Sequence, residues 1–572
     1  MNLLHLLKSK KFLLSATVSL FSVAAFSADY TVDSAETDTQ TLENGDTLAI
    51  TKDGSISVSN KNAVSATNSF TLTNRGAMTV INAATFYGIN ADGSTGSDVT
   101  ASVINYGTIA VSGGSNAIGI SIVGYDNGNT VENFGSIDVN GGISATGIKV
   151  TGSADNLIIT NGGIIKASGG ESNTALLLTG NDSNTLTVNY HTSGYLVGAI
   201  NYDDPGSAVF NFIDSGVDRS HFITVDDGDI PTFSYGGLPG VTNSNKSAVV
   251  SRTAFARANE VTSMAANSIN NAVYTRLTDL NCSSTAQNDD NNTWVNILGN
   301  YKESPKTGST IATRSSVGGV VVGKDADFNN DMKVGFYLGG INGSMKTIVS
   351  HHNIKSNGII AGIYGNKSMP MDTMLQLNVG TGYLSHNSER TLYDNLDADG
   401  IVNIKSKYKE AYIAPTIGLS KEFKGGKTSK IIPMIDIGYI AQHINSYTES
   451  GSHEARWSVK GRDVQTITGK VQVAIRKDTT RECANTYELR SGIKAKRQIS
   501  GDEVNMNLLS TNLTFKAEGK KTYADAFFGG DFIVKPNNAL SLITSAEVNK
   551  GIGNSDKNSI GASGNFGIRI KF

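Results

Sequence analysis

The chain has 572 residues, with 62 Gly, only 8 Pro, 17% charged residues and a net charge of −3, and is too long for one ordinary domain. The small net charge conceals two regions: residues 28–245 hold 6 Lys and Arg against 22 Asp and Glu, a net of −16, whereas residues 246–572 carry +10. The acidic region argues against a nucleic-acid partner, because six cations among 22 carboxylates would not neutralise phosphates; its charge suits a segment kept soluble outside the cell.

Residues 1–27 read as a secretory signal peptide. Lys8, Lys10 and Lys11 form a basic start, Phe12 to Phe26 is an apolar run, and Ala25-Phe26-Ser27 places small residues at the last and third-last positions of a cleavage site. The run is short for a membrane helix. No later stretch is apolar and long enough for one, which leaves a closed barrel as the spanning solution.

Residues 28–245 contain a repeat. Asn74-Arg75-Gly76, Asn105-Tyr106-Gly107, Asn133-Phe134-Gly135 and Asn161-Gly162-Gly163 follow one another at spacings of 31, 28 and 28 residues. Fourteen residues after each Asn stands Gly88-Ile89, Gly119-Ile120, Gly147-Ile148 or Ala175-Leu176, and nineteen after it Gly93, Gly124, Gly152 or Gly180. Alternating runs such as Ile137 with Val139, Ile148 with Val150 and Leu157 with Ile159 predict three short strands per repeat. One such unit cannot bury its apolar face alone, so stacked copies are expected to form a right-handed parallel β-helix, a β-solenoid. Asn74, Asn105, Asn133 and Asn161 would stack as an amide ladder. Asn189 continues the 28-residue beat, although its Gly comes late, at Gly194. Gly54 to Val58 reads as an irregular first coil and residues 190–240 as a terminal cap. An ordinary β-sandwich is the alternative. Asp203, Asp204, Asp226, Asp227 and Asp229 match no calcium-loop spacing and read as a solvated acidic surface; no metal or other cofactor is expected.

Residues 246–291 form a linker. Val241 to Leu298 contains neither Gly nor Pro, and Ser247 to Leu280 is rich in Ala with Arg252, Arg257, Glu260, Met264 and Leu277, which are good helix formers. Such a helix would reach about 50 Å, enough to thread a hydrocarbon core of roughly 30 Å. Its small and polar faces suit the inside of a polar pore; an interdomain helix or a flexible linker is the alternative.

From residue 292 onward, strand candidates recur thirteen times, from Thr293–Tyr301 through Asn507–Lys516 to Ile560–Phe572. Long connections such as Leu384–Glu410 and Gln442–Asp463 alternate with shorter ones such as Lys421–Lys430, the pattern of extracellular loops and periplasmic turns. Single-chain bacterial barrels have even strand numbers, so a 12-stranded transmembrane β-barrel is expected. Tyr301, Tyr364, Tyr383, Tyr439 and Trp457 lie near strand ends, where aromatic girdles belong. In the last strand Phe566, Ile568, Ile570 and Phe572 share one face while Gly567, Arg569 and Lys571 share the other. An apolar edge of this kind is an aggregation hazard in water and makes sense facing lipid.

The leader, repetitive β region, Gly-free helix and terminal barrel together resemble the type Va autotransporters of the type V secretion system. Gly438-Tyr439-Ile440-Ala441-Gln442, Tyr447-Thr448-Glu449-Ser450-Gly451 with Trp457, Leu489-Arg490-Ser491-Gly492-Ile493 and the closing Phe-x-Ile-x-Ile-x-Phe carry the resemblance, which covers residues 246–572 well and the first region by architecture alone. It implies a barrel in the outer-membrane lipid, reached through the Sec translocon and the barrel-assembly machinery, with Phe566 to Phe572 as assembly signal and a passenger exported to the cell surface. Asn270-Asn271 loosely resembles the place where some members cut themselves inside the pore; a helix that happens to contain two Asn is the alternative.

An enzymatic passenger is not expected. It contains only His191 and His221, Asp214-Ser215-Gly216 lacks the Gly that precedes a protease motif, and no nucleophile elbow or metal-ligand cluster occurs. His221 beside Asp226 and Ser215 reads as surface chemistry. The two cysteines, Cys282 and Cys483, both fall at the periplasmic end of the expected barrel, where a disulfide tethering the helix and two free thiols are both open readings. The expectation is therefore an autotransporter whose passenger is a surface adhesin or interaction module with a host or cell-surface ligand. The competing readings are a passenger hydrolase, and a pore with a periplasmic passenger.

Overall fold

Short alternating strands broken by Gly and Asn wind into a parallel solenoid. The computed structural model describes residues 27–571 apart from 83, 94–98, 125–127, 153–155, 180–184, 204–206, 282–291, 309, 330, 350–351, 427, 480–484, 518–521, 538–539 and 554–556. Three parallel sheets of nine, seven and eight strands form the solenoid faces. The coil of Asn133 is typical, with one strand per face: Thr130–Asn133, Ser136–Asn140 and Ser144–Thr151. The central coils pair in register, as Asn105 does with Asn133 and Asn133 with Asn161, and the register shifts later, between Thr174 and Leu176. Inward residues stack into a continuous core, for instance Ile109, Ile137 and Ile165; burying aliphatic side chains on all three faces supplies the main stabilisation.

Each mark of the repeat has its own physical cause. The Asn amides form the ladder: Asn74 donates to Asn105, Asn105 to Asn133 and Asn133 to Asn161, each at 2.8 Å. The same Nδ2 atoms reach the next coil's backbone, Asn133 donating to the Ile164 carbonyl at 3.1 Å. The Gly two residues later lies where coils touch. A Cβ on Gly135 would lie 2.0 Å from the Gly107 carbonyl oxygen, and one on Gly163 equally close to that of Gly135. At the second mark a Cβ on Gly119 would meet the Gly147 oxygen at 2.5 Å. At the third, Gly152 has φ +97° and turns the chain. Gly135→Ala is therefore expected to destabilise the passenger by about 1–3 kcal/mol, read as a lower urea midpoint for trypsin resistance; an unchanged midpoint would refute the close-contact explanation.

Four features differ from the sequence-based expectation. The winding starts at Asp29–Val32 instead of at an irregular coil near residue 54. Residues 190–240 are not a separate cap: Thr185–His191, Ser207–Ile213 and Thr232–Ser234 extend the first face. Asn189 is outside the ladder, because Tyr190 pairs with Asn161; Asn189 accepts instead from Asn211 at 3.1 Å. The helix expected from Ser247 begins later, since Lys246–Val249 is a strand; the helices are α1 (Thr253–Ala256) and α2 (Glu260–Asn281).

The second region is a closed barrel of twelve antiparallel strands: β1 (Asn292–Ser304), β2 (Thr313–Asn329), β3 (Met332–Thr347), β4 (Asn353–Met369), β5 (Thr373–Asp394), β6 (Ile401–Lys421), β7 (Ser429–Ile444), β8 (Arg462–Asp478), β9 (Asn485–Ser500), β10 (Thr522–Asn537), β11 (Leu540–Gly551) and β12 (Ile560–Lys571). Pairing of β1 with β12, from Asn292–Lys571 to Glu303–Ile560, leaves no open edge. Outward positions such as Ile359, Ile363, Val471, Val548, Phe566, Ile568 and Ile570 are exposed and apolar, as a lipid-facing belt requires. Short turns lie at one end; at the other, Tyr447–Thr448, Ser458–Val459, Glu503–Leu508 and Thr511–Lys516 build a four-stranded sheet of their own.

The one candidate in excess of twelve, Asn507–Lys516, belongs to that sheet, in the hairpin Glu503–Leu508 and Thr511–Lys516. The stretch Leu384–Glu410 is mostly strand, because β5 and β6 stay paired out to Tyr393 and Ile401. Tyr301 and Tyr383 are exposed on the outside, but Tyr364 is buried in the lumen and Trp457 beneath the loop sheet, so neither belongs to a girdle. Alternation alone does not tell which face of a closed sheet a residue takes once loops and a plug also bury surface.

Candidate functional site: the filled pore and the passenger junction

Helix α2 contains no run that favours lipid, and no helix among the described residues is long and apolar enough to cross a membrane. It lies within the barrel instead. Val261, Ala265, Ile269, Ala272, Val273 and Leu277 recur at helical spacing and pack against Leu298, Val317, Val321, Ile341 and Tyr412 of the wall. The wall is shaped to receive them: a Cβ on Gly343 would lie 2.7 Å from Val261.

The charged contacts are buried and paired. The Arg276 guanidinium donates through Nε and Nη2 to both oxygens of Asp325, at 2.8 and 2.7 Å. Tyr364 donates to the same carboxylate at 2.9 Å and accepts from the Trp294 indole at 2.7 Å. Tyr274 donates to Glu488 at 2.7 Å, and Arg476 holds that carboxylate at 2.9 Å. Near the other end of α2, Glu260 accepts from Ser304 at 2.8 Å and Thr262 donates to Glu410. The side facing β6–β12 borders a cavity of about 110 Å3, whose lining includes the charged residues Lys470, Asp436, Lys494 and Glu547. The pore is thus plugged by specific ion pairs as well as by volume.

Asn270 and Asn271 line this cavity. Asn270 donates to Thr416 at 3.1 Å and accepts from Asn378, while the Asn271 carbonyl accepts from Thr275 at 2.9 Å. Phe566, Ile568 and Ile570 lie on the lipid face of β12. Cys282, Cys483 and Phe572 lie outside the described residues, as does nearly all of the leader. Arg276 and Asp325 do not stand out as a pair in the sequence; the signal was available, a lone Arg in the Ala- and Asn-rich stretch of a helix expected to fill a pore.

At the loop end the solenoid docks on the barrel. Ser220–Thr224 pairs in parallel with the end of β5, from Ser220–Leu392 to Phe222–Asp394, and antiparallel with Lys246–Val249. Asn395 accepts from the Thr224 amide at 2.8 Å and donates to the Thr224 and Gly198 carbonyls at 3.0 and 3.2 Å. Phe222, Val241, Ala248 and Val250 share an apolar cluster with Phe255, Leu392, Trp457 and Met506. Asp218 sets the entry to the helix by accepting from the Arg252 and Thr253 amides at 2.9 and 2.6 Å. Arg390 clamps the loop sheet, held by Glu449 at 2.7 and 2.8 Å and lying 3.8 Å over the Trp457 ring.

His221 is not surface chemistry. It is fully buried, within 3.1 Å of the Tyr190 hydroxyl and 3.2 Å of the Thr192 carbonyl, and stacks on Tyr393 of the barrel. Ser215 bonds elsewhere, to Thr192 Oγ1 at 3.1 Å. Burial, helped by nearby Arg219, depresses the imidazole pKa to about 3. A His whose folded pKa lies below its unfolded value near 6.5 binds its proton first in the unfolded chain, so stability falls as pH drops from about 6.5 toward 3. Acidification to pH 4 is expected to raise protease sensitivity at the junction, and His221→Gln to flatten that dependence; equal pH profiles for the two proteins would refute it.

Residues 293–546 match the family model described as autotransporter beta-domain. Among solved structures the chain is similar to the translocator domain of the autotransporter NalP from Neisseria meningitidis, at 12% identity over 55% of this chain and 98% of that one, with a TM-score of 0.42. It is also similar to the beta domain of the Bordetella autotransporter BrkA, at 14% identity over 50% and 100% with a TM-score of 0.37. The transport unit of AIDA-I from Escherichia coli gives 12% identity over 52% and 97%, with a TM-score of 0.32. No curated protein matches the chain. A twelve-stranded closed barrel with an apolar belt is an outer-membrane anchor, and the solenoid stands at the loop end, outside the cell. Residues 293–546 are thus an autotransporter β-domain of type V secretion, a barrel that exports and anchors the β-solenoid passenger.

Proposed function

We propose that the passenger is a surface adhesin or interaction module, binding a ligand on a host or neighbouring cell. The observation that carries this reading is a column of side chains beside the Asn ladder. Arg75 lies 4.6 Å over the Tyr106 ring, Tyr106 stacks on Phe134 at 5.5 Å, and His191 meets Phe134 edge-on at 5.9 Å. Tyr106 and Phe134 remain exposed. Aromatic and Arg side chains held rigidly in a row are the residue types that dominate binding hot spots, and a stacked solenoid presents them along an extended face. Cells displaying the protein should adhere to a cell-surface target, and a Tyr106→Ser, Phe134→Ser variant displayed at the same level should lose most of that adhesion. Equal adhesion by the two would sink the reading. Export would run through the Sec translocon and assembly through the barrel-assembly machinery, which would read the apolar face of β12.

Protease applied to intact cells is expected to remove the passenger and spare the barrel. A passenger cut only after the outer membrane is opened would favour the periplasmic alternative, and labelling by a serine-reactive activity probe would favour the hydrolase one. Self-cleavage is supported by one observation, that the Asn270–Asn271 bond borders the cavity containing Asp436 and Lys470. A barrel fragment beginning at Asn271 would establish it; an uncut chain would leave the helix continuous.

A further inference from the structure

Asp46 is a buried carboxylate, 4% exposed, at the start of the second coil. It accepts from two backbone amides, Ala28 at 2.7 Å through Oδ1 and Glu43 at 2.7 Å through Oδ2. Among the described residues no cationic side chain forms an ion pair with it. A buried carboxylate without a counter-charge is costly. Its neighbour Ala28 is the residue just after the small-residue cleavage pattern ending at Ser27. Ala28 is held in place besides, because its carbonyl accepts from Thr47 at 2.9 Å, and Ser27 abuts the turn, 3.2 Å from where a Cβ on Gly45 would stand.

We propose that Ala28 is the first residue of the exported protein and that its α-ammonium forms an ion pair with the buried Asp46, locking the first coil of the solenoid once the leader is removed. Hydrolysis of the Ser27–Ala28 amide consumes one water, leaves a carboxylate on the departing leader and places an amine, protonated at neutral pH, on Ala28. The nitrogen that donates one hydrogen bond to Asp46 before cleavage then carries a full positive charge at the same position. The unprocessed chain holds an uncompensated charge between its first and second coils, and the processed chain does not. The open end of the solenoid is thereby closed by a group that exists only after processing.

The test uses the full-length protein purified from outer membranes. N-terminal sequencing is expected to begin at Ala28; any other start overturns the proposal. Reductive methylation with formaldehyde and cyanoborohydride, followed by mass spectrometry, then reports on the amine. An opposite charge within hydrogen-bond distance raises an amine pKa by at least about one unit from its usual 7.7–8.0. The Ala28 amine should therefore react about tenfold more slowly at pH 7.5 than in Asp46→Asn. It should also react more slowly than in the urea-unfolded protein, with solvent-exposed Lys52 as internal reference. Equal rates in the native wild type and in either comparison sink the ion pair, and the unfolded comparison keeps the test decisive if Asp46→Asn does not fold.

Discussion

Arg276→Met is expected to unseat the pore helix. The bidentate pair with Asp325 is almost wholly buried, both side chains being 2% exposed, and removing one partner strands the other charge, at a cost of about 3–5 kcal/mol. Tyr364 would remain as a hydrogen-bond donor to Asp325, but a neutral hydroxyl does not replace a guanidinium. The pore should then open intermittently: planar-bilayer recordings of the variant should show conductance events that the wild type lacks. Arg276→Met combined with Asp325→Leu removes both charges and should close the pore again, because a well-packed apolar pair of similar volume can equal a buried ion pair. A double variant as leaky as the single one would mean that volume, not stranded charge, controls the plug, and a silent single variant would mean that the contacts of Tyr274 and Glu260 suffice. Deleting α2 entirely should give a permanently open barrel; unchanged conductance after that deletion would favour a native pore function.

The second large effect concerns the ladder. Asn133→Ala should cost about 1–3 kcal/mol, since it leaves the buried Asn161 side-chain oxygen without its donor and takes from the Asn105 amide one of its two acceptors, the Ser136 carbonyl remaining. Asn133→Asp should cost more, because its carboxylate would face the Asn161 carbonyl oxygen inside the core. Exposed Asn140→Ala, in the same coil, should stay within about 0.5 kcal/mol. Limited proteolysis across a urea series separates the three variants. Since each coil contacts only its neighbours, the first cuts in the Asn133 variants should appear near residues 130–165; uniform loss of the whole passenger would instead indicate a single cooperative unit.

The two regions differ in how much of their order is legible in the amino-acid sequence. The solenoid is legible because its contacts repeat. Asn74, Asn105, Asn133 and Asn161 each meet a copy of themselves one coil away, so the period in the chain is the period in space. Legibility ends where the period breaks, at Asn189, because register there follows the core residue Tyr190 and not the count of 28. The barrel belt is legible from period-two alternation, whereas Asn507–Lys516 mimics a barrel strand because a hairpin in a loop sheet alternates in the same way.

What the residues determined alone is therefore the local and the repetitive: strand period, Gly and Asn corners, the Gly-free helix, an apolar face on β12 and the opposite charges of the two regions. Each follows from short-range sterics or from burial pattern. Only the tertiary structure decided which charges meet. Arg276 and Asp325 are 49 residues apart, Asn395 and Thr224 are 171 apart, and His221 lies against Tyr393 of another domain. Such pairings depend on the closure of the barrel, the depth of the helix within it and the docking of the last coils. Side-chain chemistry allows many partners for an Arg or a His, and the packing of distant elements selects one.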